Sequence, residues 1–243
     1  MEKTPVLCVV GPTASGKTAL AVTLAKALGG EVIGMDSMQI YCHMNIGTAK
    51  PTAEEQAGIP HHMLDIVEPT EPFSVAQYAE RAEVCIHSVF ARGRLPILAG
   101  GTGFYLRALT DGLSLGGVPS DPSLRLVLKA SAETEEGKRA LYERLLEADP
   151  QTAAKLHPND VTRVSRAVEV YELTGKPMSV QQNAPPNRPF RFCLLGATLE
   201  RSALYARVEQ RVDDMMAKGL LAEVQALLQE GVPPYAQAMQ GIG

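Results

Sequence analysis

Two rhythms of apolar and polar positions alternate along this chain. Short, unbroken apolar runs are followed by longer stretches in which apolar residues return every three or four positions, the signatures of buried strands and of amphipathic helices. Val6-Leu7-Cys8-Val9-Val10 predicts a first strand ending at Gly11, and Lys17–Leu28 a helix closed by Gly29-Gly30. Glu31-Val32-Ile33-Gly34-Met35 predicts a second strand, with Asp36 at its C-terminal end. A short helix is expected near Thr52–Ala57 and a strand over His62-Met63-Leu64-Asp65-Ile66. Ser74 is placed to cap a helix reaching Ala91, with Tyr78, Ala82, Cys85 and Val89 on one face. Leu95-Pro96-Ile97-Leu98-Ala99 then predicts a buried strand, and Gly100-Gly101-Thr102-Gly103 opens the next helix. Such alternation predicts an α/β fold, a parallel sheet flanked by helices on both faces.

Beyond Leu115 the rhythm changes. Gly116-Gly117-Val118-Pro119 reads as a linker, and the chain to Asn187 is helical in pattern, with Pro185-Pro186 at its far side. Arg191-Phe192-Cys193-Leu194-Leu195-Gly196-Ala197 restores a strand; helices follow over Ser202–Lys218 and, after Gly219, to Gln229. The expected organisation is an α/β core from residues 1–118 and 188–243 with a helical insertion domain at 119–187.

Composition narrows the class. Hydrophobic residues are 45% and charged residues 21% of 243, the balance of a soluble globular protein, and no apolar run approaches a membrane span. Met1-Glu2-Lys3-Thr4-Pro5 carries no secretory signal, so a cytoplasmic chain without a membrane partner is expected. Cys8, Cys42, Cys85 and Cys193 lie far apart, reading as reduced thiols, with Cys8 and Cys193 as core filler. A net charge of −4 gives no general sign of nucleic-acid binding. Residues 1–119 hold 8 Lys/Arg against 11 Asp/Glu and residues 120–220 hold 15 against 14, so the second half would repel a phosphate backbone least.

The chemistry begins at Gly11-Pro12-Thr13-Ala14-Ser15-Gly16-Lys17-Thr18, a G-x-x-x-x-G-K-[ST] pattern between a strand and a helix, so the sheet is expected to be P-loop NTPase-like. Glycines let backbone N–H groups converge on phosphate oxygens, the helix N-terminus adds positive potential, Lys17 supplies a cation, and the Thr18 hydroxyl can hold Mg²⁺. No N-K-x-D guanine-reading motif follows, and the strand at Leu95–Ala99 runs into Gly100-Gly101-Thr102 without the acidic residue of an NTP-hydrolysing site. Nor does the C-terminal half show an arginine-rich lid of the nucleotide-kinase kind. The loop is therefore suited to hold a pyrophosphate that is itself the leaving group.

These segments, taken with Asp36-Ser37-Met38-Gln39-Ile40-Tyr41, Ile46-Gly47-Thr48-Ala49-Lys50-Pro51, Pro60-His61-His62-Met63-Leu64-Asp65-Ile66, Gly100-Gly101-Thr102-Gly103-Phe104-Tyr105 and His157-Pro158-Asn159-Asp160 with Arg163 and Arg166, resemble the tRNA dimethylallyltransferases, in order along essentially the whole chain. The resemblance implies transfer of a dimethylallyl group from dimethylallyl pyrophosphate to the exocyclic N6 amine of adenine 37, beside the anticodon, by a Mg²⁺-dependent monomer. It implies Asp36 as the base that takes the amine's proton, with Thr13 and Lys17 beside the reacting groups and residues 11–18 holding the pyrophosphate. It also implies tRNA contacts from Asp36, Ser37, Met38, Gln39, Thr102, Arg125, Thr162, Arg163 and Arg166, on the anticodon stem-loop. In the family the chain continues beyond Gly243 with further basic helices.

The residues alone leave alternatives open. Asp36 could be a Mg²⁺-linked or merely capping carboxylate, and Arg125 a solvated helix residue. Arg163 and Arg166, three apart on a helix with apolar face Val161, Val164, Val168 and Tyr171, project together as either phosphate contacts or a surface charge pair. His61 and His62 alternate across a strand and so cannot easily share one metal ion, and His157 reads as part of the turn into a helix. Adenylate prenyl transfer, a small-molecule P-loop kinase and a non-catalytic RNA-binding module are the competing functions; the helical insertion favours tRNA over a free nucleotide.

Overall fold

The structure, a computed structural model, describes residues 3–111, 120–181 and 189–241. In chain order the elements are β1 (Thr4–Val10), α1 (Lys17–Leu28), β2 (Gly30–Gly34), α2 (Ala53–Gln56), β3 (His61–His62), α3 (Val75–Ala91), β4 (Leu95–Gly100) and α4 (Gly103–Thr110). Then follow α5 (Pro122–Ser131), α6 (Glu135–Ala148), α7 (Pro150–Ala153), α8 (Val161–Thr174), α9 (Met178–Gln181), β5 (Phe190–Gly196), α10 (Arg201–Ala217) and α11 (Leu220–Gln229). The strands form one parallel sheet in the order β3-β2-β4-β1-β5. The chain divides into two compact units, Met1–Thr110 with Arg188–Gly243, and Asp111–Asn187. The first boundary thus falls at Thr110; the expected linker at 116–119 and the Pro185-Pro186 pair lie outside the described residues. Among the described residues no helix is long and apolar enough to cross a membrane.

Strand alternation builds the α/β unit. Leu7, Val9, Val32 and Ile97 meet Ala21 and Ala25 of α1, while the neighbouring Val6, Cys8, Ile33 and Leu98 are buried toward the opposite face. There Tyr78 of α3 stacks on Tyr105 of α4, ring centroids 3.8 Å apart, and its hydroxyl donates to the Gly34 carbonyl. Burial pushes the Cys8 thiol up to about 12, as suits a packing residue. Local signals set the helix ends. Ser74 and Gln77 form a capping box on α3, Thr52 and Glu55 another on α2, and Gly29 closes α1 in the left-handed conformation.

Two expectations need correcting. The strand expected at 62–66 survives only as His61–His62, because Met63 and Asp65 take positive φ (63° and 51°) and turn the chain away. Cys193 is exposed, not core: β5 is the sheet's edge, and Leu194 and Leu195 on it are exposed too.

The helical unit packs Leu128, Leu141, Leu145, Ala153, Val164, Ala167 and Val168 together. Asp121, Thr134 and Asp160 cap α5, α6 and α8 with their side chains, and Gly175 ends α8 at φ 67°. His157 accepts from the Asn159 amide in the turn before α8. Tyr171, expected on the apolar face, is 38% exposed.

Candidate active site

The order of the strands decides where a ligand can sit. β1 is followed in sequence by β2, yet β4 lies between them, so the chain reverses direction across the sheet, the arrangement that in open α/β sheets puts ligands at the strands' C-terminal ends. Three loops meet that edge: 11–16 after β1, 35–39 after β2, and 101–102 after β4.

The first is a phosphate cradle. Gly11 (φ 154°) and Gly16 (φ 86°) adopt conformations that favour glycine, and Ala14 between them takes φ 60°. A Cβ on Gly11 would lie 2.3 Å from the Ala197 carbonyl oxygen, so no larger residue fits. Ser15 Oγ is buried without a hydrogen-bond partner among the described residues, an orphaned donor inside the cradle. Lys17 Nζ donates to the Pro12 carbonyl at the loop's crest. Burial holds the Lys17 ammonium below the usual lysine range, Asp36 pulls it up, and Arg211 pushes it down further. Thr13 and Thr18 are exposed at the loop and at the start of α1.

The second and third loops are interlocked. Met35 N donates to Ala99 O (2.8 Å) and Thr102 N to Met35 O (3.3 Å), and a Cβ on Gly100 would lie 1.9 Å from Met35 O. Asp36 Oδ1 accepts from the amides of Met38 (2.9 Å) and Gln39 (3.4 Å), capping the turn that follows β2. Its Oδ2 accepts no hydrogen bond among the described residues. Thr102 Oγ1 accepts from Ser37 N at 3.0 Å and donates to Ser37 Oγ at 3.4 Å. Gln39 uses both hydrogens of its amide on the carbonyls of Thr48 and Ala49, each 3.1 Å away. Asp36, Ser37, Met38, Gln39 and Thr102 are thus gathered and half-buried at one edge, beside the cradle.

Arginines missing from the sequence expectation appear here. Arg207 of α10 brings its guanidinium to within 3.9 Å of where a Gly16 Cβ would stand, and Arg211, one turn on, acts on Lys17. Their spacing of four on one helix face was the available signal; where α10 crosses the loop was not.

In the helical unit Arg125 and Arg166 are only partly exposed, 33% and 29%. Both grip Glu169, whose side chain is 0% exposed: Arg125 Nε and Nη2 donate at 2.9 and 3.0 Å, and Arg166 Nη1 at 2.9 Å. Burial alone would raise the Glu169 carboxyl; Arg166, the Asp121 amide and Arg125 outweigh it and hold it below the usual range. Arg163 and Arg166 therefore do not act as a pair. Arg163, 71% exposed, binds Asp160, its capping neighbour, and Thr162 is exposed beside it. His61 Nδ1 donates to Ile59 O, and His62 Nε2 meets Glu31, which Arg92 also holds, so the adjacent histidines serve different partners.

Comparison with known proteins gives one direction. Residues 39–243 match a family model described as IPP transferase. The tRNA dimethylallyltransferase of Pelotomaculum thermopropionicum is 49% identical over 243 residues, all of this chain and 77% of that one. That of Shouchella clausii is equally similar, 49% over the same shares. Among solved structures, the full-length tRNA isopentenylpyrophosphate transferase of Bacillus halodurans is 43% identical with a TM-score of 0.69, covering 100% of this chain and 75% of that one. A eukaryotic dimethylallyltransferase acting on tRNA is 31% identical with a TM-score of 0.82, covering 99% and 61%.

Proposed function

Because the chain belongs to the IPP transferase family, the tRNA dimethylallyltransferases, which are tRNA-modifying prenyl transferases, we propose that its cradle holds dimethylallyl pyrophosphate and its β2 loop presents Asp36 to the N6 amine of adenine 37. One observation carries this reading: Asp36 spends only Oδ1 on its own turn and keeps Oδ2 for the site, in electrostatic contact with Lys17.

The chemistry asks for these groups. The amine is a weak nucleophile because its lone pair is delocalised into the ring. As it attacks the allylic C1, the bond from C1 to the pyrophosphate oxygen breaks, and Asp36 Oδ2 takes the amine's proton. Charge then gathers on the departing pyrophosphate, where the backbone N–H groups of residues 13–16, Lys17 and Arg207 receive it. Ser15 Oγ would find there the acceptor it lacks. The donor set fits a divalent ion as well: the exposed Thr18 hydroxyl, next to Lys17, would hold Mg²⁺, which when bound neutralises part of the pyrophosphate charge. Thr13 borders the reacting groups; Ser37, Gln39, Met38 and Thr102 line the base. On the helical unit, Arg163, Thr162 and the braced Arg125 and Arg166 meet the backbone of the stem-loop.

The test is incubation of the full-length enzyme with labelled dimethylallyl pyrophosphate, Mg²⁺ and unmodified tRNA. Asp36→Asn keeps the turn's acceptor but removes the proton sink, so turnover should fall by roughly 10²–10⁴-fold while tRNA binding changes little. Turnover within a few-fold of wild type would remove Asp36 from the mechanism.

A further inference from the structure

The segment Ile46–Pro51 has so far no role, and its anchoring supplies one. The amides of Asn45, Ile46 and Gly47 point away from their own loop, and a single carboxylate binds all three: Glu223 of α11 accepts at 2.8, 2.8 and 3.0 Å. Three adjacent N–H groups left unpaired at a half-buried surface would be costly, and a carboxylate is the one side chain with enough lone pairs to satisfy them. Glu223 lies in the first turn of α11, where the helix itself favours an anion. The contact leaves no slack, since a Cβ on Gly47 would lie 3.0 Å from Leu220 Cδ1.

From there the restraint passes along the loop. Ala49 N bonds Ile46 O (2.9 Å), Lys50 N bonds Asn45 O (3.0 Å), and Thr48 Oγ1 bonds Met44 O (2.7 Å). The buried Lys50 ammonium ties Tyr41 O, Asn45 Oδ1 and Asp65 Oδ1 together. The loop's last two carbonyls, on Thr48 and Ala49, take both hydrogens of the Gln39 amide. Gln39 is thereby left with Oε1 as its one group to offer a base: an acceptor, matched to an exocyclic amine and mismatched to a keto oxygen.

We propose that Glu223, a residue with no contact to either substrate, is the positioning residue that fixes the polarity of Gln39 at the acceptor base by anchoring the 45–49 loop. The proposal rests on the reading above that Gln39 lines that base. A double-mutant cycle in the full-length protein tests it. Glu223→Ala should lower kcat/KM for tRNA about 10-fold, the scale of losing hydrogen bonds to a charged group, with the Kd for dimethylallyl pyrophosphate unchanged. Glu223→Gln, which keeps the shape and a neutral acceptor, should lie between the two. In a Gln39→Ala background, Glu223→Ala should add less than about a two-fold loss, because both act through one group. Losses that multiply, or a parallel loss of donor affinity and thermal midpoint, would make Glu223 a general stabiliser and overturn the proposal; so would wild-type kcat/KM in Glu223→Ala. If Gln39→Ala alone turned over normally, the placement of Gln39 at the base would fail, and the proposal with it, while a damaged Gln39→Ala beside a normal Glu223→Ala would sink the proposal alone.

Discussion

At the scale of the residue, Lys17 gives the most direct access to the donor site. Its ammonium is held below the usual range, first by burial, so it loses its proton at lower pH than a free lysine. A lowered pKa means the charge is lost at a lower pH than that of a free lysine as pH rises, so donor affinity should fade early on the alkaline side. Titration calorimetry across neutral to alkaline pH should show this fading in wild type, none in Lys17→Arg, and weak binding throughout in Lys17→Ala, which should also slow single turnovers. Unchanged affinity and rate in Lys17→Ala would contradict the phosphate-loop reading. Residues of this kind were legible because their spacing is local: the eight positions from Gly11 to Thr18 fix a strand-loop-helix geometry by themselves. Arg207 and Glu223 were not, since each acts on a loop more than a hundred residues away, and nothing in a helix records what it will cross.

At the scale of the element, α8 shows why a charged stripe cannot be read by periodicity alone. Arg163 and Arg166 lie three apart, but the buried Glu169 draws Arg166 inward with Arg125 while Arg163 stays in water. The two should therefore behave differently. Arg163→Ala should reduce the salt slope of log K for tRNA by about one and leave the melting temperature alone. Arg166→Ala should destabilise the helical unit by about 1–3 kcal/mol by leaving a buried carboxylate short of a donor. The Glu169 carboxyl is held below its ordinary 4.5 in the folded chain, so its contribution to stability is present above that value and lost as pH falls below it. Urea unfolding from neutral pH down past that range should show the loss in wild type and a flatter profile in Glu169→Gln. The strand at 62–66 failed for a related reason. The segment His62–Ile66 is apolar enough to suggest a strand, yet left-handed Met63 and Asp65, the latter bonded to Lys50, bend the chain after two residues.

At the scale of the whole molecule, the alternating rhythm followed by a helical stretch was enough to read the α/β core and the helical insertion, because both come from patterns of many residues. The proposed division of labour has a simple check. Adenosine monophosphate carries the acceptor amine but no stem, so its kcat/KM for prenylation should fall at least about 10³-fold below that of tRNA, binding energy from the remote stem being what the reaction draws on. Equal rates would remove the helical unit from catalysis. The contact between Gly100 and Met35 bears on how the chain would answer a mutational scan. A Cβ there would stand 1.9 Å from a carbonyl oxygen, so every codon but glycine's should vanish from a selected library on packing grounds alone, as completely as at the proposed base Asp36. With Asp36 as the proposed base, fitness maps of this chain will show two depleted positions of different origin, and only the yield of folded protein, lost at Gly100 and kept in Asp36→Asn, tells them apart.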